Sequence, residues 1–366
     1  MKYTHAQEVD GRGRYQNMLR FRSNLQPLRY SRRAKLAAAT FAIVVAAGCA
    51  PQVPGPPVNG PVAAPAPSGP QPFAIPAPGV GQATGGTQRG SGIQVPSGDG
   101  TGNFRISCRY SHMNYDDSIV YPGQPGRAHL HTYFGNTLST ATSTAQSLLT
   151  SGNSTCDGGI SNRSSYWVPS LIGANNVAQV PTGIGLYYKS GYQGIQPQEI
   201  SPTFPNGLKI IAGDARATSP QAGNVSWTCR ATGERSAAIP ACPQGSYLQA
   251  QIVFPQCWDG VNLDSPDHQS HMRYGMWGDG CPASHPVALP EITYNVDYLV
   301  GAGGTSGWRL SSDMYSGAGG YSLHADIITA WDPAISSRWL NNCTRQNADC
   351  HVGQLDATTE LVWAVG

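Results

Sequence analysis

A mostly β, disulfide-stabilised domain of the β-sandwich or jelly-roll-like kind, with long loops and few short helices, is what this sequence predicts. Three observations carry the expectation. Apolar runs are short, rich in β-branched and aromatic residues, and bounded by Gly, Pro or Asn. Gly (44) and Pro (29) are abundant while charged residues make up only 12%, against roughly 25% in ordinary globular chains, so turns are frequent and long helices few. Eight cysteines follow residue 100, an even set that in an exported chain implies up to four disulfides.

The chain opens with a basic segment holding Arg29, Arg32, Arg33 and Lys35, then an apolar core at 36–47, then Gly48, Cys49 and Ala50. That order predicts an export signal, because the core is too short to span a membrane comfortably. Its ending resembles a bacterial lipobox, in which Cys49 would carry lipid; an ordinary cleaved signal is the plainer alternative. Residues 1–49 are therefore expected to be a leader, with Met18 a candidate true start. Residues 50–102, almost uncharged and dominated by Pro, Ala, Gly and Ser, predict a semi-extended disordered tether. Formal net charge is +2 with much of the basic excess in the leader, so no nucleic-acid partner is expected. The expected setting is an exported protein anchored by lipid and facing the periplasm or cell exterior.

Residues 103–366 form the expected β-rich domain. Strands are predicted at 104–108, 118–121, 184–188, 207–211, 247–254 and 293–300, and helices at 140–149 and 334–341. Cys229 with Cys242 and Cys343 with Cys350 are close enough in sequence to close local loops; the other pairings stay open. No CxxC is present, so neither a thioredoxin-like site nor a zinc ribbon is expected.

Eight histidines lie in this domain, and most occur in polar clusters. His129 and His131 flank Leu130; in a strand both imidazoles share one face while Leu130 enters the core. Two surface histidines on one strand face are the bland alternative. A polar loop at 254–274 holds Asp264, Asp267, His268 and His271. Such loops on a rigid scaffold commonly carry binding and catalysis. His268 and His271 would share a face in a helical turn. Either aspartate could bind a metal or orient an imidazole by accepting its second N–H, or else cap turns of the backbone. His324 and Asp326 repeat the strand logic. His285, between prolines and beside Cys281, is expected to be structural, His351 incidental, and His112 is unassigned. GxSxG, HExxH, Walker and EF-hand patterns are absent, and glutamates are too scarce for a Glu/Glu glycosidase pair.

Several of these stretches resemble the DUF1996 family: 117–136, with its His129/His131 pair, 165–169, 254–260, 263–271, 281–286, and His324 and Asp326 with Trp331 and Asp332. The resemblance covers about residues 104–335 and implies a secreted domain whose biochemical role is poorly defined. It favours His129, His131, His268, His271, His324 and Asp326 as site residues. Two positions depart from the family pattern, Asn162 in place of an acidic residue and Ser118 in place of Pro.

Three functions fit. The first is a carbohydrate-active enzyme of the cell envelope, a polysaccharide lyase or hydrolase. His129, His131, His268, His271, His324, Asp264, Asp267 and Asp326 would be its acid, base or metal-binding groups. Tyr133, Trp167, Trp258, Arg273 and Tyr274 would bind the substrate, a polysaccharide or cell-wall glycan. The second is a metalloprotein of other activity, with Zn, Cu, Mn or Fe on His129, His131, His271 and His324. The third is a non-catalytic glycan-binding module.

Overall fold

The computed structural model describes residues 73–363 apart from 91–94 and 97–98. The leader, Met18, Cys49 and the tether up to residue 72 lie outside the described residues.

The fold is mostly β, as expected. Its principal strands are β1 (Gly102–Cys108), β2 (Tyr110–Asn114), β3 (His131–Gly135), β4 (Ser165–Pro169), β5 (Gly183–Ser190), β6 (Lys209–Gly213), β7 (Val225–Cys229), β8 (Tyr247–Val253), β9 (Glu291–Leu299), β10 (His324–Ile328) and β11 (Ala348–Val352). Two short helices accompany them, α1 (Ala145–Thr150) and α2 (Pro333–Trp339). One sheet of eight strands runs β7–β8–β9–β5–β1–β11, extended at its edges by Arg235–Ser236 and Val95–Pro96. A second sheet of five strands runs β2–β3–β4–β10–β6. Pairing is antiparallel throughout both sheets except between β1 and β11.

Alternation along the strands builds the core. Ile106, Leu186, Ile252 and Tyr294 of the larger sheet join Phe134, Tyr166, Ile210 and Ile327 of the smaller in one buried cluster, so the two inner faces pack as a sandwich. Several polar tips inside this cluster pair with one another: the Tyr166 and Tyr188 hydroxyls meet at 3.0 Å, and Trp331 Nε1 donates to Tyr188 Oη at 3.2 Å. Asp332 caps α2 by accepting the amides of Ala334 and Ile335. Four disulfides join Cys108–Cys156, Cys229–Cys242, Cys257–Cys281 and Cys343–Cys350. No helix among the described residues is long and apolar enough to cross a membrane. The disulfides point to an oxidising, extracytoplasmic compartment.

Two expectations are corrected. The run at 118–121 is a turn and not a strand, because Asp117 Oδ1 accepts the amides of Ile119 and Val120 and curls the backbone while Ile119 stays buried. From Phe73 onward the expected tether runs along the domain. Phe73 packs with Tyr110, Leu130 and Ile172, Gln82 exchanges backbone bonds with Ser154, and Thr87–Arg89 pairs with Thr359–Leu361. Composition alone misses this because the segment buries little of its own; it docks by lending backbone donors and acceptors to neighbouring loops.

Candidate metal centre

The five-stranded sheet has a second, outward face, and strand parity places the polar residues there. Phe134, Tyr166, Ala325 and Ile327 point into the sandwich, so His131, Tyr133, Trp167, His324 and Asp326 point away from it. Pairing register brings them side by side: Asp326 lies opposite Trp167 on β4 and Ile211 on β6, and Trp167 lies opposite Tyr133 on β3. Gly213 lies opposite His324. A Cβ there would fall 2.5 Å from the Leu323 carbonyl oxygen and 2.9 Å from His324 Cα, and φ is +85°, so β6 passes His324 only because residue 213 is glycine. Leu130 turns into a second apolar cluster, which leaves His129 on the side of His131.

His129, His131 and His324 meet there, with one ligand-type nitrogen from each within 4.8 Å of the others. Ring centroids lie 4.2 Å apart for His129 and His131, 5.0 Å for His129 and His324, and 5.8 Å for His131 and His324. His131 Nδ1–H donates to the Asp116 carbonyl at 2.9 Å, and His324 Nδ1–H donates to the Ser322 carbonyl at 2.8 Å. Both bonds leave Nε2 as the lone-pair atom. Nε2 of His129 and of His131, and Oδ2 of Asp326, are buried without a protein partner. Asp326 Oδ2 lies 3.9 Å from His324 Nε2.

Burial lowers the basicity of all three imidazoles. His131 and His324 are pushed down to about 4, chiefly by loss of hydration, with the neighbouring His131 adding to the effect on His324. Burial and then its two histidine neighbours hold His129 well below the ordinary range. Asp326 is driven well above the usual carboxylate range by burial and then by Asp117, whose own carboxyl is also raised by burial. Neutral imidazoles with inward lone pairs beside carboxylates that resist ionisation form a site with donors and no cation of its own. Three imidazoles suit Zn or Cu, and also Fe; they are poor for Mg or Ca, which prefer oxygen. Nitrogens on one Zn lie at most about 4.2 Å apart, so the set must contract slightly around an ion.

A cavity of about 320 Å³ opens onto His129, His324, Asp326 and Asp117. Its rim carries Tyr121, Arg216 and His268. His268 stands in left-handed backbone (φ 59°) at the end of a turn, and its Nδ1–H donates to Asp264 Oδ1 at 2.8 Å. Asp264 Oδ2 in turn accepts from Lys209 Nζ at 2.9 Å. Burial works to raise the Asp264 carboxyl, but the bonds from His268 and Lys209 outweigh it and keep it ionised. The result is an oriented imidazole lining the cavity, its Nδ1 tied to a carboxylate and its Nε2 left for other chemistry.

Other expected site residues sit elsewhere. His271 is no metal ligand: Ser265 Oγ meets its Nδ1 at 2.9 Å and the Lys209 carbonyl its Nε2 at 2.6 Å, so both ring nitrogens are occupied. It also shares no helical face with His268, because the segment is a chain of turns. Asp267 touches the cavity, yet its Oδ1 accepts Ser265 Oγ and the amides of Gln269 and Ser270, so it is a turn cap. Tyr133 and Trp167 are fully buried and stack on each other, out of reach of any substrate. Tyr274 donates to the Val253 carbonyl, Trp258 Nε1 donates to the Asn262 carbonyl, and Arg273 is exposed on the short Met272–Arg273 strand; none of the three lines the cavity. His285 binds Ser284 and the Ser270 carbonyl, and His112 stacks on Tyr133. Asp117, Tyr121, Arg216 and Lys209 were not anticipated. Asp117 opens the 117–136 stretch and was the one with a visible signal; Lys209 sat in a run that reads only as a strand.

A family model described as a domain of unknown function, DUF1996, matches residues 117–331, a span that contains every residue of the cluster and of the His268–Asp264 pair. No curated protein and no solved structure matches the chain.

Proposed function

The chain belongs to the DUF1996 family, and from the geometry of its pocket we propose that it is a metal-dependent enzyme acting on glycans outside the cytoplasm. The observation that carries this reading is the set of buried, unpartnered donors: Nε2 of His129 and His131 and Oδ2 of Asp326, beside a His324 whose Nδ1 is likewise tied to a carbonyl. Backbone carbonyls that fix the distal nitrogen are what metal-ligating imidazoles typically have behind them. Zinc is the first candidate, with copper expected to bind more tightly in vitro. His129, His131 and His324 would hold a divalent ion, which would supply Lewis acidity toward a bound substrate.

The remaining chemistry belongs to the chain's own side chains. His268 Nε2 accepts or delivers the proton, Asp264 fixes its tautomer and stabilises the charged ring, and Lys209 anchors Asp264. Arg216, Asp214 and Gln269 at the rim offer the mixture of donors and acceptors that hydroxyl-rich substrates require. Export and lipid attachment at Cys49 complete the proposal, resting on the basic segment, apolar core and Gly48–Cys49 ending.

The test is metal analysis of untagged protein followed by a panel of polysaccharides, with reducing ends and ultraviolet-absorbing unsaturated products monitored together. Metal bound in wild type and lost in His131→Ala, with cleavage that stops on chelation, supports the reading, and the product distinguishes hydrolase from lyase. Stoichiometric metal without any cleavage would leave a metalloprotein of other activity. Absence of both metal and cleavage would sink it in favour of a binding module.

A further inference from the structure

The larger sheet has its own outward face, on the opposite side of the sandwich from the metal cluster. Ile184, Leu186 and Tyr188 of β5 enter the core, so Gly185, Tyr187 and Lys189 point out; on β9 the outward residues include Thr293, Asn295 and Asp297. Together with Asn103, Gln249 and Gln251 they line a groove of about 470 Å³. Register sets them in rows across the strands. Gln251, Asn295 and Gly185 form one row, and Thr293, Tyr187 and Arg105 the next. A Cβ at Gly185 would meet only the Tyr187 ring, at 3.6 Å, so the glycine leaves a gap beside that ring.

Four features of this groove point to a ligand. Its charges are already balanced: Lys189 pairs with Glu291 at 2.8 Å, Arg230 with Asp297 at 2.7 Å, and Arg105 with Asp349. Cations also lie over its rings, with Arg105 5.4 Å from the Tyr187 centroid and Lys189 4.4 Å from that of Tyr192. The amides of Gln251 and Asn295 bond to each other at 3.0 Å, leaving an acceptor on one and a donor on the other for something above them. Finally, Thr293 is 3% exposed and its Oγ1 has no partner, an unmet hydroxyl in the middle of the groove.

We propose that this face binds a neutral polysaccharide chain laid across β8, β9, β5 and β1, a breadth of about 14 Å at the usual strand spacing. Balanced charge disfavours an anionic ligand. Amides that both donate and accept suit sugar hydroxyls, and the tyrosine rings lining the groove offer apolar surface for a sugar ring. This site shares no residue with the metal cluster, so it stands or falls separately from the proposed enzymatic activity.

The experiment is native affinity electrophoresis of the full chain in gels containing laminarin, hydroxyethylcellulose, mannan or polygalacturonate, with and without chelator. Retardation is expected with at least one of the three neutral polymers, unchanged by chelator and by His268→Ala. Tyr187→Ala and Thr293→Val should each weaken it about tenfold, the cost of one lost contact of ordinary strength. Thr293→Val deletes an unpaired hydroxyl, so a folding defect cannot explain its loss of binding. Retardation by no neutral polymer, retardation only by polygalacturonate, or binding unaffected by both substitutions would overturn the proposal.

Discussion

His131→Leu separates a metal site from a merely buried histidine. The side chain is fully buried, and its Nε2 has no partner in the protein. Replacing it with an apolar group of similar size removes an unsatisfied buried atom that costs roughly 1–3 kcal/mol and gives up one hydrogen bond of about 1 kcal/mol. The Asp116 carbonyl released by the change keeps the Tyr133 hydroxyl at 2.7 Å, so no new unmet acceptor appears. In chelator, then, the variant should melt within a few degrees of wild type. Zinc at a hundred times its dissociation constant stabilises a folded protein by about 2.7 kcal/mol. For a domain of this size that raises Tm by about 5 °C. Wild type should show that rise and the variant should not, in calorimetry matched to metal content. If chelated and zinc-loaded wild type melt alike, or the variant keeps the full shift, His131 is not a ligand.

The same pair of proteins gives a pH prediction in chelator. His131 takes its proton near pH 4 when folded but near 6.5 when unfolded. Between those values the unfolded state binds more protons, so wild-type stability is lost as pH falls through that window. Urea titrations at pH 7 and 4.5 should show wild type losing about 2–3 kcal/mol more than His131→Leu, and equal losses would show that the buried ring is not held neutral. Asp326 and Asp117 titrate in both proteins and cancel in this comparison. His268→Ala should lower turnover about 10²- to 10⁴-fold with metal content intact, since it removes the proton-transfer group and no ligand; metal loss instead would assign His268 to the cluster. Arg273→Ala should leave metal binding and turnover within twofold, because the side chain lies outside the cavity. Replacing Cys257 and Cys281 together by Ser opens a loop of sequence separation 24 that carries His268. The expected loss is about 3.5 kcal/mol of stability by the loop-entropy relation, read from chemical denaturation, and a loss under 1 kcal/mol would show that the loop is held by its turns.

The parts of this site legible from sequence share one property, a period of two. His129 with His131 and His324 with Asp326 are each separated by one apolar residue, Leu130 or Ala325, and in both cases that residue is buried. Parity therefore placed four donors on defined faces before any fold was known. The loop at 254–274 has no period, so its composition marked it as polar and could not divide its members. His268 lines the cavity with Asp264 bonded behind it, while Asp267 caps the turn and His271 is held by Ser265 and the Lys209 carbonyl, a difference settled by local backbone angles such as φ at His268. The aromatic residues misled for a related reason. Tyr133 and Trp167 lie on the outward face of their sheet, which parity reads as open, but α1 and the 115–130 loop cover that end and bury both rings with Ile119 and Leu148.

By itself the sequence determined what is local or periodic: short strands, even cysteines, the two imidazole-bearing strand faces and the family. Which strands are neighbours was decided only by the tertiary structure. β3 and β10 lie almost two hundred residues apart in the chain, and they converge because β4 pairs with both, bringing His131 and His324 across one face. Register, cover and hydrogen-bond partner are properties of pairs of segments, and no pattern within a single segment encodes them. For that reason a set of candidate histidines became three that meet, one that faces them, and one that holds the loop together.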